Sequence, residues 1–328
     1  DKLIWYGIFT LLRSLINRVI KQIYCRYKYY DIVKIDLIKL YDKNVVKDLL
    51  LFAGWNLLGV FSYVLKNQGV AILLNIFFGT ILNASYAIAN QINGQMQMFT
   101  VSITQAIQPQ LIKSESQSDY SKVEALLFLS SKISFGILAI ISIPFFINID
   151  YIFNIWLKKI PNYTIEFTQL IILITLIQQF RSGITIIAHA KNKIKEFQFI
   201  NTPIQLLCIP VAYYFLYLGY NPLYVFYVII AIEILAVLMN IFFLRKVTSI
   251  TYFKYFKEVI LKNIIIYFIT FFLMKLFYSY FTIWVDKMIM LFLSSFCSII
   301  IYLLMMLFFS TNKEKNIIKQ FIKIKFKK

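Results

Sequence analysis

Apolar residues in this chain come in long runs, not in alternation. Runs of roughly 18 or more apolar residues read as bilayer-spanning helices, because open backbone polar groups are too costly in lipid for anything but a helix or a closed barrel. The pattern predicts helices at about residues 3–22, 48–78, 83–109, 123–148, 164–188, 197–218, 222–244, 257–280 and 286–309. An alternating β-barrel pattern is absent, so the expected fold class is all-α, a polytopic transmembrane bundle of about nine helices. The 48–78 run is too long for one straight span and is expected to tilt or to bend near residues 66–69. Pro144 and Pro210 fall inside runs and are expected to kink them, whereas Pro109 is expected to close its helix. The links at 79–82 and 219–221 are short, which predicts antiparallel neighbours on either side of each.

Polar residues interrupt the runs in two ways. The first is charge: Arg13, Lys66, Lys132, Arg181 and Glu233 fall within predicted spans, with Arg18, Lys262 and Lys275 nearer ends. Charges at such depth are costly and mark a partner or a watery pathway. Lys66 comes roughly 27 Å along its helix at 1.5 Å per residue, within snorkelling reach of an interface. Four of the five are cations, which suits an anionic cargo such as a pyrophosphate. Snorkelling, or pairing with Glu233, is the competing reading for each. Glu233 stands in IIAIEILAVLMN and either pairs with a cation or takes up and releases a proton as a coupling site.

The second interruption is a stripe of amides. Residues 62–97 carry Asn67, Gln68, Asn75, Asn83, Asn90, Gln91, Asn93, Gln95 and Gln97. Asn83, Ala87, Asn90, Gly94 and Met98 follow helical spacing, as do Gln91, Gln95 and Ser102. Small residues let helices approach closely. The amides then bond across helices or line a cavity facing sugar hydroxyls, and both readings stand. The hypothetical cargo contacts are Lys66, Asn67, Gln68, Asn90, Gln91, Asn93, Lys132 and Arg181.

Composition agrees with a membrane protein. Of the 328 residues 60% are hydrophobic and 15% charged, against about half and a quarter in ordinary globular domains. The net charge of +19 raises nucleic acid or an anionic membrane surface as partners. Joint enrichment in Ile, Lys, Asn, Tyr and Phe, as an AT-rich genome favours, explains part of it. Position decides the rest. Lys21, Arg26, Lys28, Lys34, Lys39, Lys43 and Lys47 lie in one predicted loop; Lys113 and Lys122, then Lys191, Lys193 and Lys195, then Arg245, Lys246, Lys254 and Lys257 lie in alternate later ones. The other loops hold only Lys2, Lys158, Lys159 and Lys287. By the positive-inside rule the basic loops and the C-terminus are cytoplasmic, and no nucleic-acid role is expected. The first helix then runs inward from outside, which carries the expectation of further helices before Asp1. The run at the start is not expected to be a signal peptide, since no basic stretch precedes it. The tail KEKNIIKQFIKIKFKK reads as an interfacial helix on the anionic inner leaflet or as a frayed basic end. The loop DYIFNIWLKKIPNY (150–163) reads as an aromatic anchor on the outer surface.

Catalytic chemistry has little to stand on. His189 is the one histidine, and Cys25, Cys208 and Cys297 are widely spaced, so no metal or disulfide framework is visible. GxxxxGK, GxSxG and paired-acid motifs are absent. The expectation is a non-enzyme without cofactors.

The segment FAGWNLLGVFSYVLKNQGVAILLNIFFGTILNASYAIANQINGQMQMFTVSITQAIQPQLIKS (52–114) resembles the seventh and eighth helices of Wzx-type polysaccharide flippases, most like versions from Bacteroidetes. The resemblance rests on AGW followed by Asn (53–56), NQG (67–69), LLNIFFG (73–79), N-A-x-x-A-I-A-x-Q-x-N-G (83–94) and AIQPQ (106–110). DKLIWYGI and IYCRYKY look like the sixth helix and the cytoplasmic linker of that group. By pattern the resemblance covers nearly the whole chain, and it is weak after about residue 245. It implies the MATE-like fold of the multidrug/oligosaccharidyl-lipid/polysaccharide flippase superfamily. Residues 1–22 would be the last helix of the first lobe, 23–47 a basic cytoplasmic linker and 48–245 the second six-helix lobe. Two additional spans would follow at 246–310 and a basic cytoplasmic tail at 311–328. The implied function is alternating-access transport of undecaprenyl-pyrophosphate-linked oligosaccharide across the bacterial inner membrane for polysaccharide or O-antigen lipopolysaccharide synthesis. The implied partners are that lipid-linked oligosaccharide, the anionic inner leaflet and enzymes of polysaccharide synthesis. A multidrug exporter of the same superfamily and a polymerase of the same glycan pathway are the alternatives. About nine helices against the family's fourteen implies that most of the first lobe is not part of this sequence.

Overall fold

The computed structural model describes residues 2–30, 42–281, 285–310 and 315. Its helices are α1 (Lys2–Lys28), α2 (Lys43–Phe78), α3 (Thr80–Ser116), α4 (Tyr120–Ile147), the short α5 (Ile149–Trp156), α6 (Thr164–Gln179), α7 (Ser182–Ala190), α8 (Ile194–Leu206), α9 (Cys208–Tyr217), α10 (Leu223–Val247), α11 (Tyr252–Phe281) and α12 (Lys287–Phe309). No strand occurs among the described residues, so the chain is all-α. The tail 311–328, apart from Lys315, and linker positions Lys34 and Lys39 lie outside the described residues.

The described helices reach into the expected linker 23–47 from both ends. Helix α1 continues to Lys28, and α2 begins at Lys43. Asp42 starts α2 as an N-cap, its Oδ1 accepting from Asn44 N at 2.8 Å and Val45 N at 3.4 Å. That side chain satisfies donors left open by the first turn. Asp119 does the same for α4, accepting from Lys122 N at 3.1 Å. The helix therefore starts at Tyr120, three residues ahead of the apolar run.

Proline behaves as its chemistry requires, but not always where the pattern places the break. Pro144 lies inside α4. Pro109 does not close α3, which runs on to Ser116 with Ile107, Leu111 and Ser114 buried on either side of it; packing on both sides outweighs one lost backbone bond. The rod at 197–218 breaks at Leu207, one turn before Pro210. Pro210 has no N–H to return to Leu206, and its ring crowds that carbonyl. Helix α2 is a single uninterrupted helix of 36 residues, without a break at residues 66–69.

Among the described residues six helices are long and apolar enough to cross a membrane: α2, α8–α9 taken as Ile194–Tyr217, α4, α10, α11 and α12. The pair α6 and α7, bent by 41°, makes a seventh if counted as one span. The chain thus suggests a multi-pass membrane protein. The sequence pattern predicts nine spans. The two not among them are α1, which carries cations, and α3, which carries amides.

The chain divides into two units, Asp1–Ala53 and Gly54–Lys328. In the first, the hydroxyls of Thr10 and Ser14 bond back to the carbonyls of Tyr6 and Thr10. In the second, α4 is the central helix. It packs against α3, α7, α11 and α12, and most of its length is buried. One apolar cluster gathers Leu126, Leu127, Phe135, Ile184, Tyr255 and Tyr302 around it. A second joins Val70 and Leu74 of α2, Tyr86 of α3, Phe167 of α6, Cys208 of α9 and Phe226 of α10. Helix α2 approaches α8 and α9 where it lacks side chains: a Cβ on Gly59 would meet the Gln198 amide at 2.3 Å, and one on Gly69 would meet Ile209 at 2.6 Å. Between packed helices in lipid such close approach, not apolar burial, supplies the attraction.

Short links have unequal results. Helices α9 and α10 pack along each other, as expected. Helices α2 and α3, joined by Gly79 at φ 82°, do not pair along their lengths. They diverge from that glycine, and the wedge between them is polar.

Candidate functional site

Glu233 of α10 is 1% exposed. Its Oε1 accepts from Lys66 Nζ of α2 at 2.8 Å and from Gln178 Nε2 of α6 at 2.8 Å. Its Oε2 accepts from Arg181 Nη2 at 2.7 Å. Arg181 stands in the break between α6 and α7 and gives its Nη1 to Asn201 Oδ1 of α8 at 3.1 Å. Asn201 and Asn240 are locked face to face: Asn240 Nδ2 donates to Asn201 Oδ1 at 2.7 Å and Asn201 Nδ2 to Asn240 Oδ1 at 3.1 Å. Helices α2, α6, α8 and α10 and the α6–α7 break are thus joined by one polar network. An ammonium and a guanidinium share one carboxylate, so the buried cluster carries one net positive charge.

The break that positions Arg181 has its own support. A bend frees backbone groups that lipid cannot satisfy. Here Tyr255 Oη of α11 donates to Phe180 O at 2.6 Å, and Ser131 Oγ of α4 accepts from Gly183 N at 3.0 Å. The two hydroxyls lie 2.8 Å apart, within hydrogen-bond range. Gly183 fits because a Cβ there would stand 2.2 Å from Leu127 O.

The wedge between α2 and α3 opens beside Lys66. Asn67, Asn90, Asn93, Gln97, Tyr63 and Gln178 line it, in part. Thr175 Oγ1 fixes Asn93 by donating to its Oδ1 at 2.8 Å. Lys66 Nζ stands 5.4 Å from the centre of the Tyr63 ring, a distance at which a cation and a π face attract. The pocket measures about 30 Å³, room for a water or two and not for a sugar ring. A wider space of about 240 Å³ adjoins it, sharing Tyr63, Gln97 and Gln178 and adding Thr100, Val101, Thr104, Gln105 and Gln179.

Of the residues singled out from sequence, Lys66, Asn67, Asn90 and Asn93 line the wedge, and Lys66, Arg181 and Glu233 meet in the charge network. Lys66 does not snorkel: it is 3% exposed, and a buried carboxylate across the helix interface holds it. Gln68 and Gln91 are exposed and face away. Steps of 100° per residue separate Gln91 from Asn90 and Asn93. The amide stripe of α3 therefore splits, with Tyr86, Asn90, Asn93, Gln97 and Thr100 inward and Ala87, Gln91, Gly94, Gln95, Met98 and Ser102 outward. Lys132 is buried in α4 and does not line the wedge. His189 is half-buried at the end of α7. Gln178, Asn201 and Asn240 belong to the network without having stood out in the sequence. Asn240 lies seven residues after Glu233, two turns along the same face, and Gln178 lies three before Arg181; those spacings are the signal. Among the described residues no group of three or more His, Cys, Asp or Glu side chains is placed to hold a metal ion. Comparison with family models, curated proteins and solved structures gives no match for this chain.

Proposed function

We propose that this chain is part of a MATE-like flippase that carries a lipid-linked oligosaccharide across a bacterial inner membrane by alternating access, with nine helices crossing the bilayer and the C-terminus cytoplasmic. The observation that carries the reading is the juxtaposition of a buried, net-positive Lys66–Glu233–Arg181 cluster with an amide-lined wedge in an apolar helical bundle. The cations suit a pyrophosphate and the amides suit the proximal sugars. The 30 Å³ pocket is then an occluded form, with Glu233 standing in for the cargo anion. Opening draws α2 away from α10 and parts Lys66 from Glu233; a pyrophosphate arriving in the wedge replaces the carboxylate. Cargo shifts the equilibrium only through this difference in affinity between the two forms. Glu233 has no spare charge for an organic cation, which favours the flippase over a multidrug exporter.

The test uses the purified chain in nanodiscs, titrated with a short polyprenyl pyrophosphate, the matching monophosphate and the matching alcohol. Binding in that order, weakened by Arg181→Ala and unchanged by Lys132→Ala, supports the reading. Equal binding of pyrophosphate and alcohol rejects it.

A further inference from the structure

Residues 252–257 read YFKYFK, one triplet written twice. They open α11, and the helix changes its winding inside them. Tyr252–Tyr255 form an α turn, Phe256–Leu261 a π-helix, and Lys262–Phe281 an ordinary α-helix again. A π turn closes its hydrogen bonds one residue further back than an α turn, so it holds a surplus residue; such turns are rare and concentrate at functional sites.

The pieces on either side of the π turn are unequal. The C-terminal piece is long and anchored, with Asn263, Ile266, Thr270 and Met274 buried and Lys262 Nζ at 3.5 Å from Phe309 O of α12. The N-terminal piece is four residues, preceded by the irregular stretch 248–251. The Tyr252 ring meets Phe242 at 4.7 Å and Arg245 at 4.9 Å. Lys254 pairs with Glu124 at the surface, a contact of small weight. Tyr255 packs its ring on Phe128 at 5.6 Å and gives its hydroxyl to Phe180 O. When the surplus residue leaves the π turn, the short piece is therefore the one that moves, and 248–251 takes up the slack. Each of its residues then steps back one place, by about 100° and about 1.5 Å. Phe253 enters the place of Tyr252, and Phe256 enters the place of Tyr255. Both ring contacts keep an aromatic side chain. What is lost is the hydroxyl that holds Phe180 O and stands 2.8 Å from Ser131 Oγ.

We propose that the π turn of α11 is a one-residue slip joint that frees the α6–α7 break. In one register Tyr255 holds the break. In the other Phe256 fills the same place without a hydroxyl, and Arg181, which stands in the break, loses that support. The repeated triplet makes the slip tolerable, because ring replaces ring at both contacts and only hydrogen bonding changes. The device is independent of what the wedge binds.

The experiment is hydrogen–deuterium exchange of the purified full chain in nanodiscs, followed at the amides of residues 181–185. Phe256→Tyr supplies a hydroxyl in the slipped register, so the break stays held in both. Deletion of the exposed Lys257 removes the surplus residue and leaves Tyr255 and Asn263 where they stand, on one continuous α-helix. Each change is expected to slow exchange at the break about tenfold, the weight of one buried hydrogen bond in a local opening. Thermal unfolding should show no loss of Tm in either. Tyr255→Phe should exchange fast with or without the deletion. Phe256 is itself exposed, so its variant keeps the fold and decides alone if the deletion does not fold. Exchange at the break equal in the native chain and Phe256→Tyr overturns the proposal, since a merely structural π turn gives that result.

Discussion

Glu233→Gln removes the one anion from a buried cluster of two cations. Lys66 and Glu233 are 3% and 1% exposed, and Arg181 is 12% exposed. Breaking a buried pair by deleting one partner costs about 3–5 kcal/mol, because the survivor is left uncompensated. Here two survivors repel each other. The amide that replaces the carboxylate would still accept one hydrogen bond, which places the expected loss near the lower end, about 3 kcal/mol. At roughly 2 °C per kcal/mol for a long chain, the apparent Tm should fall by about 6 °C. Lys66→Met is the internal comparison. It leaves Arg181 and Glu233 as a neutral pair, so only a charge-assisted bond is lost, about 1–2 kcal/mol. The triple variant Lys66→Met, Arg181→Met, Glu233→Leu should recover most of the loss, since a packed apolar substitute often matches a buried ion group. The assay is thermal unfolding of purified protein in one detergent at one scan rate, as unfolding of such proteins is commonly irreversible. A Tm for Glu233→Gln within about 1 °C of the native value, or a Lys66→Met loss equal to it, would refute the electrostatic account.

Other outcomes follow from neighbouring geometry. Tyr255→Phe strands the Phe180 carbonyl and Ser131→Ala strands the Gly183 amide; each should cost about 1–3 kcal/mol. The double variant should cost less than the sum, because the two hydroxyls serve one bend, as a double-mutant cycle in Tm would record. Gly183→Ala drives a Cβ to 2.2 Å from Leu127 O and should lower folded yield. Gly94→Ala, with nothing within 4 Å of its Cβ, should be neutral or stabilise by about 0.5–1 kcal/mol, and equal damage from both would contradict the packing around α4. Asn201→Ala leaves Asn240 without its amide partner and frees Arg181 Nη1. It should weaken polyprenyl pyrophosphate binding by about tenfold at unchanged folded yield.

Much of the helical layout is legible in sequence because a bilayer helix needs so many consecutive apolar residues. Each of the nine predicted segments overlaps a helix, and the ends that differ do so for local reasons, such as the caps at Asp42 and Asp119. The break at residues 180–181 is not legible. Its cause lies in other helices: Tyr255 is 75 residues from Phe180 and Ser131 is 52 residues from Gly183. The site is half legible for the same reason. A charge in an apolar run announces itself, so Lys66, Arg181 and Glu233 can be named one at a time. Their convergence depends on how α2, α6 and α10 pack, which no single run encodes. The amides Gln178, Asn201 and Asn240 are too mild to interrupt a run, and they pass unnoticed beside Glu233.

Helix α3 has a consequence for how such a protein is made. It carries many amides and is not among the helices apolar enough to cross a membrane, yet it packs along both α4 and α6. A segment of that kind leaves the insertion machinery only when neighbours cover its polar face, and α6 begins at Thr164, long after the Thr80 that opens α3. Assembly would therefore hold α3 at the exit site until α4 and α6 arrive, and a ribosome stalled between Ile147 and Thr164 would expose a half-inserted intermediate to quality-control proteases.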